Sequence, residues 1–205
     1  MIVSPDEPTC RFAQYEWAIR FRQPVSIVVI LACTLLQFLT SPSWAGNSLV
    51  NVLAETLSFV LVVIAAFGRI WSALYISGYK EDRVVTEGPY AMIRSPLYVF
   101  SFLGTLGLGL TTRHLAVVTI IVGAFILYYP LVVLAEERNL QHKFGQAYLD
   151  YASKVPRFLP SHFRLVEPDT YPVRPGHVRR SLLEIIWFFW AFLILHLVAD
   201  FHYVV

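Results

Sequence analysis

Two stretches of this chain combine residue types that chemistry can use. The first is Glu87-Gly-Pro-Tyr-Ala-Met-Ile-Arg-Ser-Pro-Leu-Tyr98. Gly88 tolerates backbone conformations that other residues resist, while Pro89 and Pro96 fix their own φ and push Gly88 and Ser95 toward extended geometry. The product is a stiff loop. It presents backbone groups, the rings of Tyr90 and Tyr98 and the guanidinium of Arg94, a set suited to holding a polar ligand. The second runs from Glu136-Glu137-Arg138 through Phe144-Gly145-Gln-Ala-Tyr148-Leu-Asp-Tyr151 to Val155-Pro156-Arg157-Phe-Leu-Pro160. Adjacent carboxylates beside an apolar run are costly unless paired, liganded or wetted, so something should meet them. One of them can hydrogen-bond a ribose diol. Arg94 or Arg157 can hold an anionic group such as a carboxylate or phosphate through a two-point contact.

The elements that must position these residues are membrane helices. Of 205 residues, 57% are hydrophobic and only 15% charged, against roughly 25% charged in ordinary soluble domains. A helix needs about 20 apolar residues to cross a bilayer. Five runs qualify or nearly so: 24–39, 49–77, 97–110 (the shortest), 115–135 and 182–199. The expected fold is therefore all-α, a polytopic transmembrane bundle forming one membrane domain over residues 1–205. Residues 1–23 form a polar lead-in, 24–135 hold spans one to four, 136–180 an amphipathic helix and connector, and 181–205 span five and the tail.

All but two of the sixteen Lys and Arg residues fall on one side of this topology. Arg113 lies opposite and Arg69 lies inside the second span. The positive-inside rule then places the N-terminus and both chemistry-bearing segments in the cytoplasm and the C-terminus outside. Arg69 either serves a buried functional site or snorkels to the interface.

Residues 111–114 leave room only for a tight antiparallel hairpin between spans three and four. Ser101, Thr105 and Gly109 offer a small face on span three, predicting close approach by another helix. Pro130 predicts a kink in span four. Beyond it, Phe144, Tyr148 and Tyr151 form an aromatic stripe expected to anchor or pack at the interface. Five prolines between Pro156 and Pro175 exclude regular helix, leaving a connector of the kind that works as a lid or binding loop. Cys10 and Cys33 are too few for a disulfide framework. No metal site and no nucleic-acid partner is expected, and the sequence carries no signal of oligomeric state.

Taken together, Gly88-Pro89-Tyr90, Arg94-x-Pro96-x-Tyr98, Glu136-Glu137, Phe144-Gly145-x-x-Tyr148 and the Val-Pro-Arg end resemble the isoprenylcysteine carboxyl methyltransferase and phospholipid methyltransferase superfamily over about residues 80–160. The resemblance implies a small helical bundle whose cofactor pocket is capped by the cytoplasmic segment between spans four and five. It implies S-adenosyl-L-methionine as cofactor, held by Val85, Gly88, Pro89, Tyr90, Arg94, Ser95, Pro96, Tyr98, Glu136 and Glu137. Arg94, Arg157 and Glu136 are then the candidate catalytic residues, and the acceptor is a lipid-like or amphipathic small molecule entering from among the membrane lipids.

Where that superfamily usually carries His between the Arg and the Pro, this chain has Ser95. A hydroxyl keeps a hydrogen bond but is a poor base near neutral pH. Methyl transfer from a sulfonium asks mainly for orientation and exclusion of water, so a strong base is not required. Two alternatives remain at the level of sequence. One is an NADPH-dependent sterol or enone reductase, a family sharing a related Arg-His-Pro-x-Tyr segment. The other is a non-enzymatic membrane scaffold or transporter.

Overall fold

The computed structural model describes residues 7–40, 43, 48–76, 79, 82–160 and 166–204. Six α-helices follow in order: α1 (Glu7–Leu39), α2 (Ser48–Ile76), α3 (Pro96–Thr111), α4 (Leu115–Phe144), α5 (Gln146–Lys154) and α6 (Pro175–Val204), with a short 3-10 turn at Gly88–Ala91 ahead of α3. Among the described residues there is no strand. The stretches Leu49–Ile76, Leu115–Phe144 and Ser181–Ala199 are long and apolar enough to cross a membrane, while Pro24–Gln37 and Pro96–Thr111 are shorter apolar helices. Large apolar side chains including Val28, Leu35, Phe67, Leu127 and Leu193 point outward. An outward apolar surface of this extent is stable against lipid and not against water. The fold is a membrane-embedded helical bundle.

α3 is its centre, packing against α2, α4 and α6, while α1 leans on α4. The short α3 reaches so many neighbours because it is lined with glycine. A Cβ at Gly104 would lie 2.9 Å from that of Ala65, and one at Gly107 would lie 2.8 Å from the Ser58 carbonyl oxygen. The Ser58 hydroxyl donates across this contact to the Gly107 carbonyl at 2.6 Å. Close approach to α2 thus uses Gly104 and Gly107, while Gly109, on the face expected from spacing, packs on α4: a Cβ there would lie 2.9 Å from Ile121 Cδ1 and 3.7 Å from Val118 Cα. Ser101 and Thr105 instead donate back to Leu97 and Ser101 carbonyls of their own helix, at 2.6 and 2.7 Å. The i to i+4 pattern thus found the approach of α4 at Gly109 and missed that of α2, which uses neighbouring glycines.

The α3–α4 turn is as tight as residues 111–114 require. Arg113 sits there in the left-handed region at φ 58, is buried, and is paired with Glu55 of α2. α1 begins at Glu7, so the polar lead-in from residue 7 is helical, and it continues through Pro24. α1 is tied to α4 by the Tyr128 hydroxyl, which donates to the Ala18 carbonyl at 2.6 Å. α4 likewise runs on through Pro130 and ends at Gly145, whose φ of 54 terminates it and starts α5 in a new direction. The predicted connector is non-helical at 155–160 and 166–174; residues 161–165 lie outside the described residues.

Candidate functional site

The loop before α3 takes its shape from Gly88. Its φ is +60, and an added Cβ would lie 2.5 Å from the Tyr75 ring, so glycine is required both by conformation and by space. Pro89 follows in the first turn of the 3-10 helix, and its carbonyl accepts the Met92 and Ile93 amides at 3.2 Å each. Two backbone hydrogen bonds then join this loop to the start of the connector: Arg94 N–H donates to the Pro156 carbonyl at 2.8 Å and Ser95 N–H to the Arg157 carbonyl at 3.2 Å. The distant Val-Pro-Arg segment is thereby laid alongside the Arg94-Ser95 strand of the loop.

That pairing delivers Arg157 to Glu137. Arg157 Nε donates to the Glu137 Oε1 and Oε2 atoms at 3.0 and 3.1 Å, and Nη2 to Oε2 at 2.6 Å. Arg94 Nη1 approaches the same carboxylate at 3.1 Å from Oε1. One carboxylate on α4 therefore gathers two guanidiniums from two other segments. The hydrogen bonds from Arg157 to Glu137 raise the Arg157 pKa. Glu136 is not part of this clamp and lines the adjoining space.

That space is a cavity of about 440 Å³, within the size range of small-molecule sites. Val85, Tyr90, Arg94, Ser95, Pro96, Tyr98, Glu136 and Glu137 all line it. Gly88 and Pro89 stand behind it as shaping residues, and Arg157 acts through Glu137. The cavity also takes in Arg69 and Ser101 at its deep end and Tyr148 and Tyr151 at its loop end.

Tyr148 and Tyr151 are the residues whose part the sequence concealed. The stripe from Phe144 to Tyr151 reads as one interfacial face, but Gly145 breaks the helix inside it. α5 then turns both tyrosines inward, leaving them 4% and 9% exposed. The Tyr151 hydroxyl donates to the Tyr90 carbonyl at 2.8 Å, locking α5 to the motif loop. A glycine in the middle of an amphipathic run was the available signal.

Burial pushes the Tyr148 phenol up to about 12, with the Glu137 charge adding and a hydrogen bond with Arg94 opposing. Burial raises Tyr151 as well, with Tyr148 beside it. Tyr90 is held well above the ordinary range, first by burial and then by Tyr151 and Glu136. All three are neutral hydroxyls at physiological pH. Among the described residues the buried Tyr90 hydroxyl and Arg94 Nε have no hydrogen-bond partner. Buried donors of this kind are expensive to leave unmet and are expected to receive a ligand.

A strap covers the outside of the loop. Gly88 N–H donates to the Val166 carbonyl at 2.9 Å, the Tyr171 hydroxyl donates to the Tyr75 carbonyl at 2.5 Å, and Arg174 pairs with Asp82 at 2.8 Å. Among the described residues, no three His, Cys, Asp or Glu side chains gather as metal ligands would.

The fold and site together define a membrane-embedded helical bundle with a polar, tyrosine- and arginine-rich ligand cavity at the end where α4 meets the loop before α3. Residues 49–147 match the phospholipid methyltransferase family. The chain belongs to this family of membrane methyltransferases, within the isoprenylcysteine carboxyl and phospholipid methyltransferase superfamily. It is 36% identical over 160 residues to the nickel-cobalt-cadmium resistance protein NccN of Alcaligenes xylosoxydans xylosoxydans, covering 78% of this chain and 75% of that protein. It is 38% identical over 160 residues to the cobalt-zinc-cadmium resistance protein CzcN of Cupriavidus metallidurans, covering 78% and 74%. No solved structure matches it.

Proposed function

We propose that this chain transfers a methyl group from S-adenosyl-L-methionine to a lipophilic or amphipathic acceptor. One observation carries the reading: a single cavity is walled by the motif loop, by both carboxylates of α4 and by the tyrosines of α5. Its chemistry fits the cofactor. The unmet donors on Tyr90 and Arg94 suit a carboxylate or a ring nitrogen, and Glu136 suits an ammonium or a ribose diol.

When bound, S-adenosyl-L-methionine supplies an electrophilic methyl that an acceptor lone pair attacks in line, the carbon–sulfur bonding pair returning to sulfur. The protein's share is orientation and dryness. Arg94, fixed by Glu137 and by its backbone bond to Pro156, is a preset donor. Val85, Pro96, Val133 and Leu140 supply apolar walls that exclude water. Neither Ser95 nor the high-pKa tyrosines serve as a base near neutral pH. An acceptor that arrives with its lone pair already free, as a carboxylate or an unprotonated amine, therefore suits the site better than a thiol.

The Lys and Arg distribution supports a cytoplasmic position for this end of the bundle, with the acceptor entering from the bilayer. The relatives' names tie those proteins to resistance to nickel, cobalt, cadmium and zinc. On this reading the chain serves such a role by modifying a membrane component and not by holding the ion.

Calorimetry with S-adenosylhomocysteine and detergent-purified protein tests the proposal. Wild type should bind, and Arg94→Ala and Glu136→Gln should each weaken binding by about ten-fold or more, as loss of a charged hydrogen-bond partner implies. A folded wild-type sample that does not bind would refute it. Membranes incubated with methyl-labelled S-adenosyl-L-methionine then identify the acceptor.

A further inference from the structure

The helices around the cavity do not close it equally toward the bilayer. α2 and α3 meet closely from Gly68, which lies against Phe100, to Gly107, which lies against Ser58. α6 packs on that pair from outside, with Phe188 against Gly104. α1 packs on α4. Among the described residues, no other helix packs substantially on both α3 and α4. The seam between these two is therefore covered by their own side chains alone.

That seam is a wedge. Near the hairpin, Gly109 of α3 lies directly against Val118 and Ile121 of α4, so the backbones come close. Toward the cavity, ring stands against ring: Phe102 and Phe125 at 4.6 Å between centroids, then Tyr98 and Tyr129 at 5.7 Å. Phe125 also stacks on Tyr129 at 4.2 Å and 12°, which joins the two pairs into one row. Tyr98 and Tyr129 line the cavity, and Phe102 and Phe125 carry the row onward in the direction of the hairpin. The latter two are half-buried without lining the cavity, so the rest of their surface faces out of the bundle. A continuous aromatic row thus leads from the outside of the bundle, at bilayer depth, into the ligand cavity.

We infer that this seam is the tail-binding subsite for the acceptor: one apolar chain lies along Tyr129, Phe125 and Phe102 while its head enters the cavity beside Tyr98 and Tyr129. The row is one ring wide and ends where Gly109 meets α4, about 16 Å from Tyr98 along α3. It takes one chain and not two, so the acceptor is a single-tailed amphiphile. Lipid tails are as apolar as these rings, so the hydrophobic effect does not select here; contact with flat ring faces and the width of the seam do. The inference rests on the methyl-transfer reading for its purpose and deepens it by naming the acceptor's class.

The test is photolabelling of full-length protein in nonionic detergent by hexadecanoate carrying a mid-chain diazirine, with the labelled peptides read by mass spectrometry. Saturable labelling should fall on the segments that carry Phe102 and Phe125. Excess plain hexadecanoate should suppress it, and a phosphatidate with two hexadecanoyl chains should compete about ten-fold less well, as a second chain without a place on the protein implies. Phe125→Ala should lower the saturable labelling around Phe102 by about three-fold or more, as loss of a ring contact implies. Phe59→Ala, which removes an exposed ring of α2, should leave it unchanged. Saturable labelling absent or confined to other segments, equal competition by the two-chain lipid, or labelling that Phe125→Ala leaves unchanged would overturn the inference. Circular dichroism checks the fold of each variant; should Phe125→Ala not fold, Phe125→Leu, which keeps most of the bulk and removes the flat face, decides by the same criterion. S-adenosylhomocysteine binding is measured on the same samples: its absence in wild type sinks the methyl-transfer reading separately, and the labelling still decides the tail site.

Discussion

Replacing Glu137 with Gln keeps the shape of the side chain and removes the one charge that two guanidiniums share. The Glu137 side chain is 12% exposed, Arg94 15% and Arg157 37%. Arg157 can recover water, so its part resembles a surface pair, about 1 kcal/mol or less. Arg94 cannot rehydrate to the same degree, and losing a charge-assisted contact there costs about 1.5–3 kcal/mol. The sum is about 2–4 kcal/mol, which for a chain of this length lowers the unfolding midpoint by roughly 4–16 °C. Thermal unfolding in a single detergent, followed by circular dichroism, measures it. Arg157→Gln should cost clearly less than Glu137→Gln, and the Glu137→Gln/Arg94→Gln pair should cost less than the sum of its singles. A Glu137→Gln midpoint no lower than that of Arg157→Gln would refute the claim that this carboxylate organises the site.

Three further outcomes follow from the same structure. Burial lifts Tyr148 to about 12, whereas the unfolded phenol titrates near 10. Between those values the unfolded chain has released a proton that the folded chain keeps, so stability falls as pH rises, by up to about 1.4 kcal/mol per unit. Tyr148→Phe should make that alkaline decline shallower in denaturation curves read by tyrosinate absorbance. Gly145→Ala meets no atom within 4 Å of its new Cβ, so its cost is backbone strain at φ 54, about 1–3 kcal/mol. Weaker S-adenosylhomocysteine binding should accompany it as α5 shifts; wild-type stability and affinity would count against the break at Gly145. Gly107→Ala drives a Cβ to 2.8 Å from a backbone oxygen, while the Cβ of Gly123→Ala meets nothing within 4 Å. Only the former should lower the unfolding midpoint, by several degrees for about 1–3 kcal/mol of overpacking.

Much of this was legible before any coordinates. Apolar runs located α2, α3, α4 and α6 to within a few residues at most of their ends, because a bilayer demands helices of a minimum length and leaves a strong hydropathy trace. The loop around Gly88 was legible only in part: Pro89 and Pro96 each open a helical turn, but Gly88, expected extended, has φ 60, and Ser95 has φ -126 and ψ 52. Which neighbours a side chain meets was harder. Of two adjacent glutamates, only Glu137 takes both arginines, a choice set by how α4 is rotated about its axis. Pro130 lies within α4, and the helix stops only at Gly145, because a φ above zero ends a helix where a missing N–H only weakens it. That Arg69 meets the Ser101 hydroxyl of α3 is a contact between helices that its place inside span two could not state.

The backbone bonds from Arg94 and Ser95 to Pro156 and Arg157 also bear on how the protein is made. They join residues separated by more than sixty positions, with the whole of α3, α4 and α5 between them. A chain emerging from the ribosome and threading into the bilayer must therefore place all three helices before the loop acquires its second edge or Glu137 its second cation. Until then the ligand cavity has no closed wall. On the proposed function, a chain truncated ahead of Arg157 should enter a membrane without assembling this site.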